Sequence, residues 1–404
     1  IASFVVPVSR VGETSLTMAD IKISTAELYA LPGGDVGLAL GVEARGEKFS
    51  DDRDARLDGA ITFTDSVTGN FIPTDVMGTS PTPDTDGERE VWSAFAELAV
   101  PLVSEEMAVP LVHRLDVQLA ARAESYSDVG DVVKPKIAVS WYPVSSLQVR
   151  GAWSQGFRAP NLEQINASNI RRVNGGREDW IVCQATATAN NTDFNTGDCD
   201  GVSVESVRSG GSDLQSEEND NYSLGLVYQP SFVNDLTLTL DWWRIEQQDV
   251  VGLFGDQNQV SLDYLLRLQG SSNPNVIRAA ADADQIALYT AAGLAPAGDI
   301  IEVRDDYVNL NPREFEGLDF GIYYELDAEK FGFFDVALSA AYLETAFQDP
   351  SSPAEALLAA IETGAINDAV DVPGAEDRIR QNARPEWRGN ASVRWTKEKW
   401  GAGA

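Results

Sequence analysis

Histidine is almost absent from this chain of 404 residues: His113 is the only one. Imidazole-assisted catalysis therefore has one possible position, on a short predicted turn far from any loop that could shape a pocket. No catalytic residue emerges, and the chain does not read as an enzyme. Cysteine is as scarce, with Cys183 and Cys199 alone, too few to close a tetrahedral zinc site. No metal site emerges either. Positive charge is in short supply, with 30 Lys and Arg against 63 Asp and Glu and a net charge of -33. This disfavours nucleic acid, whose phosphates need cations, and electrostatic docking on anionic lipid. No apolar run approaches the roughly 18 residues of a membrane helix. Residues 1–20 lack the charged, apolar, then small pattern of a signal peptide.

What the chain has in quantity is alternation. In Leu115–Glu124 the apolar Leu115, Val117, Leu119, Ala121 and Ala123 interleave with Asp116, Gln118, Arg122 and Glu124. Ile137, Val139 and Trp141 alternate with Lys136, Ala138 and Ser140; Leu318, Phe320, Ile322, Tyr324 and Leu326 alternate with Asp319, Gly321, Tyr323 and Glu325. Period two means one apolar and one polar face. About eleven strands follow, at 18–31, 35–49, 89–103, 111–126, 132–143, 145–157, 217–229, 235–250, 314–327, 332–347 and 384–397.

The joins between these strands are sorted by parity. Short ones fall at Pro32-Gly33-Gly34, 104–110, Val144-Ser145, 230–234 and 328–331, and long ones at 50–88, 158–215, 251–313 and 348–383. The join at 127–131 is short but lies on the long side. A soluble sandwich has no reason to sort its loops, whereas an outer-membrane barrel sets tight turns to the periplasm and long loops outside. Its strands also average out in hydropathy, in keeping with a mean hydropathy of -0.19. Trp141 and Tyr142 before Pro143, Tyr228 before Pro230, and Trp395 with Trp400 sit at strand ends, where such barrels carry an aromatic girdle; ordinary cross-strand packing is the alternative. The expected fold is all-β: an antiparallel up-and-down transmembrane β-barrel in which sequential strands pair without crossovers. Eleven is odd, and Gly401–Ala404 follow a short turn where another strand should begin. We therefore expect an incomplete barrel with free edges at both terminal strands.

At this point particular residues resemble a known family. Ala152-Trp153-Ser154-Gln155-Gly156-Phe157-Arg158-Ala159-Pro160-Asn161-Leu162 resembles the strand-end motif of TonB-dependent outer-membrane receptors. The blocks Glu217–Tyr228 and Leu236–Asp249, then Phe315–Phe320 and Arg384–Asn390, are similar to later strands of that family. The resemblance runs from about residue 18 onward and implies a 22-stranded barrel with a plug domain. It further implies energised import of a scarce nutrient, such as a ferric siderophore or oligosaccharide, with the TonB complex as partner. The plug, the TonB-contacting segment and the C-terminal strands are not found in this sequence. A passive porin is the competing reading, and a secreted β-sandwich adhesin a third.

Ligand contacts are expected near the outer rim. Phe157, Arg158 and Asn161 close one strand; Arg171, Arg172 and Trp180 follow in the 158–215 loop. Guanidinium groups beside an aromatic suit a ferric chelate bearing carboxylates, or a sugar. Local pairing of Arg171, Arg172 and Arg177 with Glu178, Asp179 and other loop acids is the alternative. Cys183 and Cys199 read as a disulfide in an oxidising compartment, pinning that polar loop. Asn191–Gly201 gathers oxygen ligands loosely like a calcium loop, without the EF-hand spacing. Asp51-Asp52-Arg53-Asp54 reads as a solvated face, and Leu262–Leu268 and Ala354–Ile361 as short helices inside loops.

Overall fold

The computed structural model describes residues 5–69, 71–199, 201–374, 377–381 and 384–404. Twelve strands form one sheet: β1 (Arg10–Leu31), β2 (Gly34–Arg53), β3 (Thr85–Val103), β4 (Arg114–Tyr126), β5 (Gly130–Val144), β6 (Leu147–Arg158), β7 (Glu217–Tyr228), β8 (Leu236–Gln248), β9 (Arg313–Asp327), β10 (Phe333–Gln348), β11 (Trp387–Lys397) and β12 (Trp400–Gly403). Each pairs antiparallel with the next in chain order, and β1 and β12 are each paired on one side only. The sheet is an open meander.

Several strand ends differ from the expected ones. β1 starts at Arg10 and β2 runs on to Arg53, because Asp51 is not solvated. It is buried on the sheet and accepts hydrogen bonds from Arg10 Nε at 2.6 Å and Arg53 Nη2 at 2.6 Å, so charges on neighbouring strands neutralise one another and the ladder continues. β4 starts at Arg114 because the preceding residues form a 3-10 turn, Glu105–Met107, with Ala108 and Leu111 left-handed. At the tight turn after β1, a Cβ on Gly33 would lie 2.5 Å from the backbone of Pro101 and Leu102, so only glycine lets the neighbouring strand end approach.

Register assigns the two faces. Val139, Gly151, Leu224, Trp242, Leu318, Tyr342 and Trp387 lie in one row across seven strands. The adjacent row, on the opposite face, is Ser140, Arg150, Gly225, Asp241, Asp319, Ala341 and Arg388. One face is apolar and the other charged. The apolar face is uncovered, with Ile23 at 71% and Leu224 at 54% exposure. A sandwich would bury it; a membrane barrel turns it to lipid. Along β5 the apolar run from Val133 to Trp141 extends about 26 Å at about 3.3 Å per residue, close to the height of a barrel's apolar band.

Tryptophans mark both margins of that band. Towards the short turns, Trp141 Nε1 donates to the Leu111 carbonyl at 3.0 Å and Trp395 Nε1 to the Phe331 carbonyl at 2.6 Å. Towards the long loops, Trp153 Nε1 donates to Asp220 at 3.1 Å and Trp242 Nε1 to Glu316 at 2.6 Å. Each ring lies against the apolar band and sends its N–H towards polar groups at the edge. Tyr142 departs from the girdle, sharing the charged face with Arg114.

The long loops fold together into a cap. It contains α1 (Leu162–Asn166), α2 (Trp180–Asn190), α3 (Asp256–Leu268), α4 (Ala283–Ala291) and α5 (Ser352–Glu362). α3 and α5 extend the two expected loop helices, with Pro353 in the first turn of α5. A four-stranded sheet joins two loops in the order Val276–Arg278, Ile300–Arg304, Val202–Arg208, Ile170–Arg177. Its middle pair runs parallel, with Ser206 opposite Val303, against the expectation of antiparallel pairing throughout. Strands that meet from different loops are not bound by a hairpin's direction. The dry core lies here, around Trp180, Ile181, Cys183, Tyr264, Tyr289 and Leu357. No helix among the described residues is long and apolar enough to cross a membrane.

Candidate ligand-binding site

Charges on the inner face of the wall are arranged in pairs. Arg150 and Asp241 meet in a bidentate pair at 2.8 Å across the intervening strand, directly over Gly225. A Cβ there would lie 2.0 Å from the Asp241 carboxylate, so the missing side chain opens the bridge. Nearer the rim, Arg45 donates to Glu43 at 3.0 Å, Glu47 at 2.9 Å and the Tyr126 hydroxyl at 2.9 Å. Tyr126 in turn donates to Glu124 at 2.7 Å, and its ring lies 5.6 Å from the Arg45 guanidinium and 5.9 Å from that of Arg89. The signal for this network was present in the sequence, as Glu43, Arg45 and Glu47 at alternate positions, but it does not distinguish ligand contact from wall structure.

The strand-end motif fastens the cap to this network. Phe157 meets Tyr126 edge-on with ring centroids 6.0 Å apart, and Arg158 pairs with Glu217. The Pro160 carbonyl accepts from Arg89 Nη2 at 2.8 Å. Asn161 caps α1, accepting from the Gln164 N–H at 2.7 Å while the Gln164 side chain accepts from the Asn161 N–H at 2.9 Å. Phe157, Arg158 and Asn161 thus come together on a cavity of about 870 Å³, lined also by Arg45, Arg89 and Tyr126.

Arg171, Arg172 and Trp180 do not join them. Arg171 lies in the cap sheet, paired with Glu205 and with Glu302 at 3.3 Å, beside a separate cavity of about 480 Å³ with Phe71 and Pro73. Arg172 donates to Thr82 Oγ1 at 2.7 Å, and burial together with Arg53, Arg208 and Arg10 lowers its pKa. Trp180 is a correction: it is 4% exposed, stacks on Phe194 with ring centroids 6.3 Å apart and donates to Ser261 Oγ at 3.1 Å. It belongs to the core of the cap and is closed to a ligand. The alternative of pairing with loop acids holds for Arg171 and for Arg177, which binds Asp256 at 3.2 Å, but the partners are not Glu178 and Asp179: Asp179 binds Arg278 at 2.7 Å, 99 residues away.

Cys183 and Cys199 are bridged, with α-carbons 4.9 Å apart, and both are buried in the apolar cluster rather than set in a polar surface. Beside them Arg278, although burial works against its charge, is held protonated by Asp179 and Asp263. Burial raises Tyr264 and Tyr289 to about 12. In the calcium-like stretch Asn195 accepts from the Gly197 N–H at 3.1 Å to open a 3-10 turn; Asp200 lies outside the described residues. Among the described residues no group of three or more His, Cys, Asp or Glu is placed to hold a metal ion. His113 is 3.0 Å from Glu105 on the short-turn side, remote from the cap.

A single antiparallel wall, apolar and exposed on one face and charged on the other, with its long loops on one side, defines an outer-membrane β-barrel. The chain belongs to the TonB-dependent receptor-like β-barrel family, whose model matches residues 15–404. That family lies in the outer membrane of Gram-negative bacteria and consists of receptors and transporters, not enzymes. Solved structures of similar fold include the siderophore receptor PirA of Acinetobacter baumannii (TM-score 0.53, 14% identity, 96% of this chain and 41% of that one). A mutant of the ferric enterobactin receptor PfeA of Pseudomonas aeruginosa matches at TM-score 0.54 and 15% identity over 96% of this chain and 40% of that one. The hemophore receptor HasR of Serratia marcescens, solved with its hemophore HasA and heme, matches at TM-score 0.53 and 14% identity over 98% and 51%. At these identities the likeness is one of fold. The chain spans 40 to 51% of the lengths of these receptors. No curated protein matches it in sequence.

Proposed function

We propose that this barrel wall and its cap belong to a ligand-specific receptor that imports a scarce small-molecule nutrient across the outer membrane, energised through the TonB complex. One observation carries the reading: the cap is fastened to the inner face of the wall, not beside it. Arg89 holds Pro160, Glu217 accepts from the Val251 N–H at 2.8 Å, and Gln348 Nε2 donates to the Asn311 carbonyl at 2.7 Å. Arg89, Glu217 and Gln348 all share the charged face by register. A porin needs an open mouth; a folded cap fastened to the inner face through two of its loops suits selective capture. A ferric siderophore is the leading ligand class, in keeping with the siderophore receptors among the structural neighbours, and an oligosaccharide the second.

The test is uptake by intact cells carrying the full-length gene, with and without a functional TonB complex, using labelled ferric siderophores and oligosaccharides. Saturable uptake that disappears without TonB is the expected result. Linear, TonB-independent entry of small solutes would favour the porin.

A further inference from the structure

The loop that joins β2 to β3 is tied down along its length. The Arg53 N–H donates to Asp84 at 2.8 Å, the Thr82 N–H to the Leu57 carbonyl at 2.8 Å and Thr74 Oγ1 to the Arg56 carbonyl at 2.7 Å. Its far end reaches the cap sheet, where the Arg171 N–H donates to the Pro81 carbonyl at 3.3 Å and Arg172 to Thr82 Oγ1 at 2.7 Å. Pro73, Pro81 and Pro83 each fix one backbone torsion, so this stretch has little freedom to lose when a ligand settles against it. A cleft of about 480 Å³ lies between loop and sheet, lined from both and within the size range of small-molecule sites. None of its lining residues also lines the cavity at the strand-end motif.

The lining disfavours ions of either kind. Asp58 and Glu205 accompany a single cation, Arg171, which Glu302 also engages at 3.3 Å, so an oxyanion would meet net negative charge. A metal ion lacks ligands, since among the described residues no group of three or more His, Cys, Asp or Glu is placed to hold one. The Thr62 hydroxyl and the Asn169 side-chain amide make no hydrogen bond among the described residues, and each can both donate and accept. Phe71, 66% exposed, and the three prolines supply apolar surface on the same lining. Hydroxyls that both donate and accept, set around a ring with apolar C–H faces, match such a lining. That is the chemistry of a sugar.

We propose that this cleft binds a neutral saccharide on the outer side of the receptor, apart from the cavity at the strand-end motif. The proposal rests on the outward orientation of the long loops, not on the import reading, and gives the receptor a hold on glycans that it need not transport. Calorimetric titration of the full-length receptor in a sugar-free detergent tests it. The probes are maltotriose, cellotriose, xylotriose and chitotriose, with citrate and spermidine as anionic and cationic controls. Expected is a Kd of about 1 mM or tighter for at least one saccharide, weakened about five-fold or more in Phe71→Ala/Thr62→Val. Both side chains are exposed, and heat-modifiable mobility on gels verifies that the variant folds; if it does not, Phe71→Ala alone should still weaken binding. No saccharide binding by wild type, equal affinity in wild type and variant, or binding of spermidine alone that depends on Phe71 overturns the saccharide site. TonB-dependent uptake of the imported nutrient, measured alongside, should be the same in variant and wild type. Loss of uptake together with saccharide binding would put the cleft on the import route and overturn its separateness. Phe71-dependent saccharide binding without any uptake would sink the import reading and leave the cleft standing.

Discussion

Leu224 in the wall and Leu357 in the cap are both apolar, yet the first is 54% exposed and the second fully buried. The wall is a single layer with no interior. Its apolar side chains are to be covered by lipid, and its charged ones are paired with one another across strands, as in Arg150–Asp241. The cap is built like a small water-soluble domain: helices around a dry cluster, a disulfide across it, and a buried ion network of Arg278, Asp179, Asp263 and Arg267. Closing a loop of the disulfide's length contributes about 3 kcal/mol in the chain-entropy model. One chain therefore contains two solutions to folding, each suited to a different solvent. The wall depends on membrane and ladder hydrogen bonds, the cap on burial and covalent closure.

The sharpest way to break this division is Arg278→Met. Arg278 donates to Asp179 at 2.7 and 2.8 Å and to Asp263 at 2.9 Å, and all three side chains are at most 5% exposed. Removing the cation strands the buried Asp179 and leaves Asp263 with Arg267 as its only cation, an effect of about 3–5 kcal/mol. Amide exchange in the full-length receptor should rise across α2, α3 and the four-stranded cap sheet while β3 to β8 keep their protection. Faster exchange spread evenly into the wall would mean that cap and wall fold as one unit.

Neighbouring positions on β7 sharpen the comparison from the other side. Leu224 faces lipid, and Ser223 faces the charged interior opposite Trp243 and Ala152. Leu224→Arg should destabilise the barrel by about 2–4 kcal/mol near the middle of the apolar band. Ser223→Asn, on the wet face, should change it little. Denaturant unfolding in detergent or lipid reads both. Comparable losses at the two positions would show that the faces are not divided as their register indicates.

The two regions also differ in how legible they were. Wall strands were readable because period two is local: each alternating run, such as Leu115–Glu124, declares its own two faces without knowledge of a partner. Their ends were less so, since the extension of β2 to Arg53 depends on Arg10, more than forty residues away. In the cap the decisive contacts are remote. Asp179 finds Arg278, Trp180 finds Ser261, and Val202–Arg208 pairs with Ile300–Arg304, none of which leaves a mark in the neighbouring sequence. The candidate site divides the same way. Phe157, Arg158 and Asn161, carried by a strand-end motif, do reach one cavity, while the loop residues Arg171, Arg172 and Trp180 scatter. A tryptophan beside Glu178 and Asp179 looks exposed until the helix it opens is seen to pack against α3.

Trp180 supplies the smallest of the expected effects, and one that separates folding from recognition. Trp180→Phe keeps an aromatic ring against Phe194 but removes the N–H that reaches Ser261 at 3.1 Å, leaving a fully buried hydroxyl without that partner. The expected cost is about 1–3 kcal/mol. It should be confined to the cap and visible as earlier proteolysis of the loops between β6 and β9. Ligand affinity, measured at a temperature where the variant cap is folded, should equal that of the wild type, because the indole does not line the cavity beside the strand-end motif. If affinity fell several-fold while cap stability stayed unchanged, the ring would have to meet the ligand directly. The cap would then open during capture, bringing part of its dry core into the binding surface.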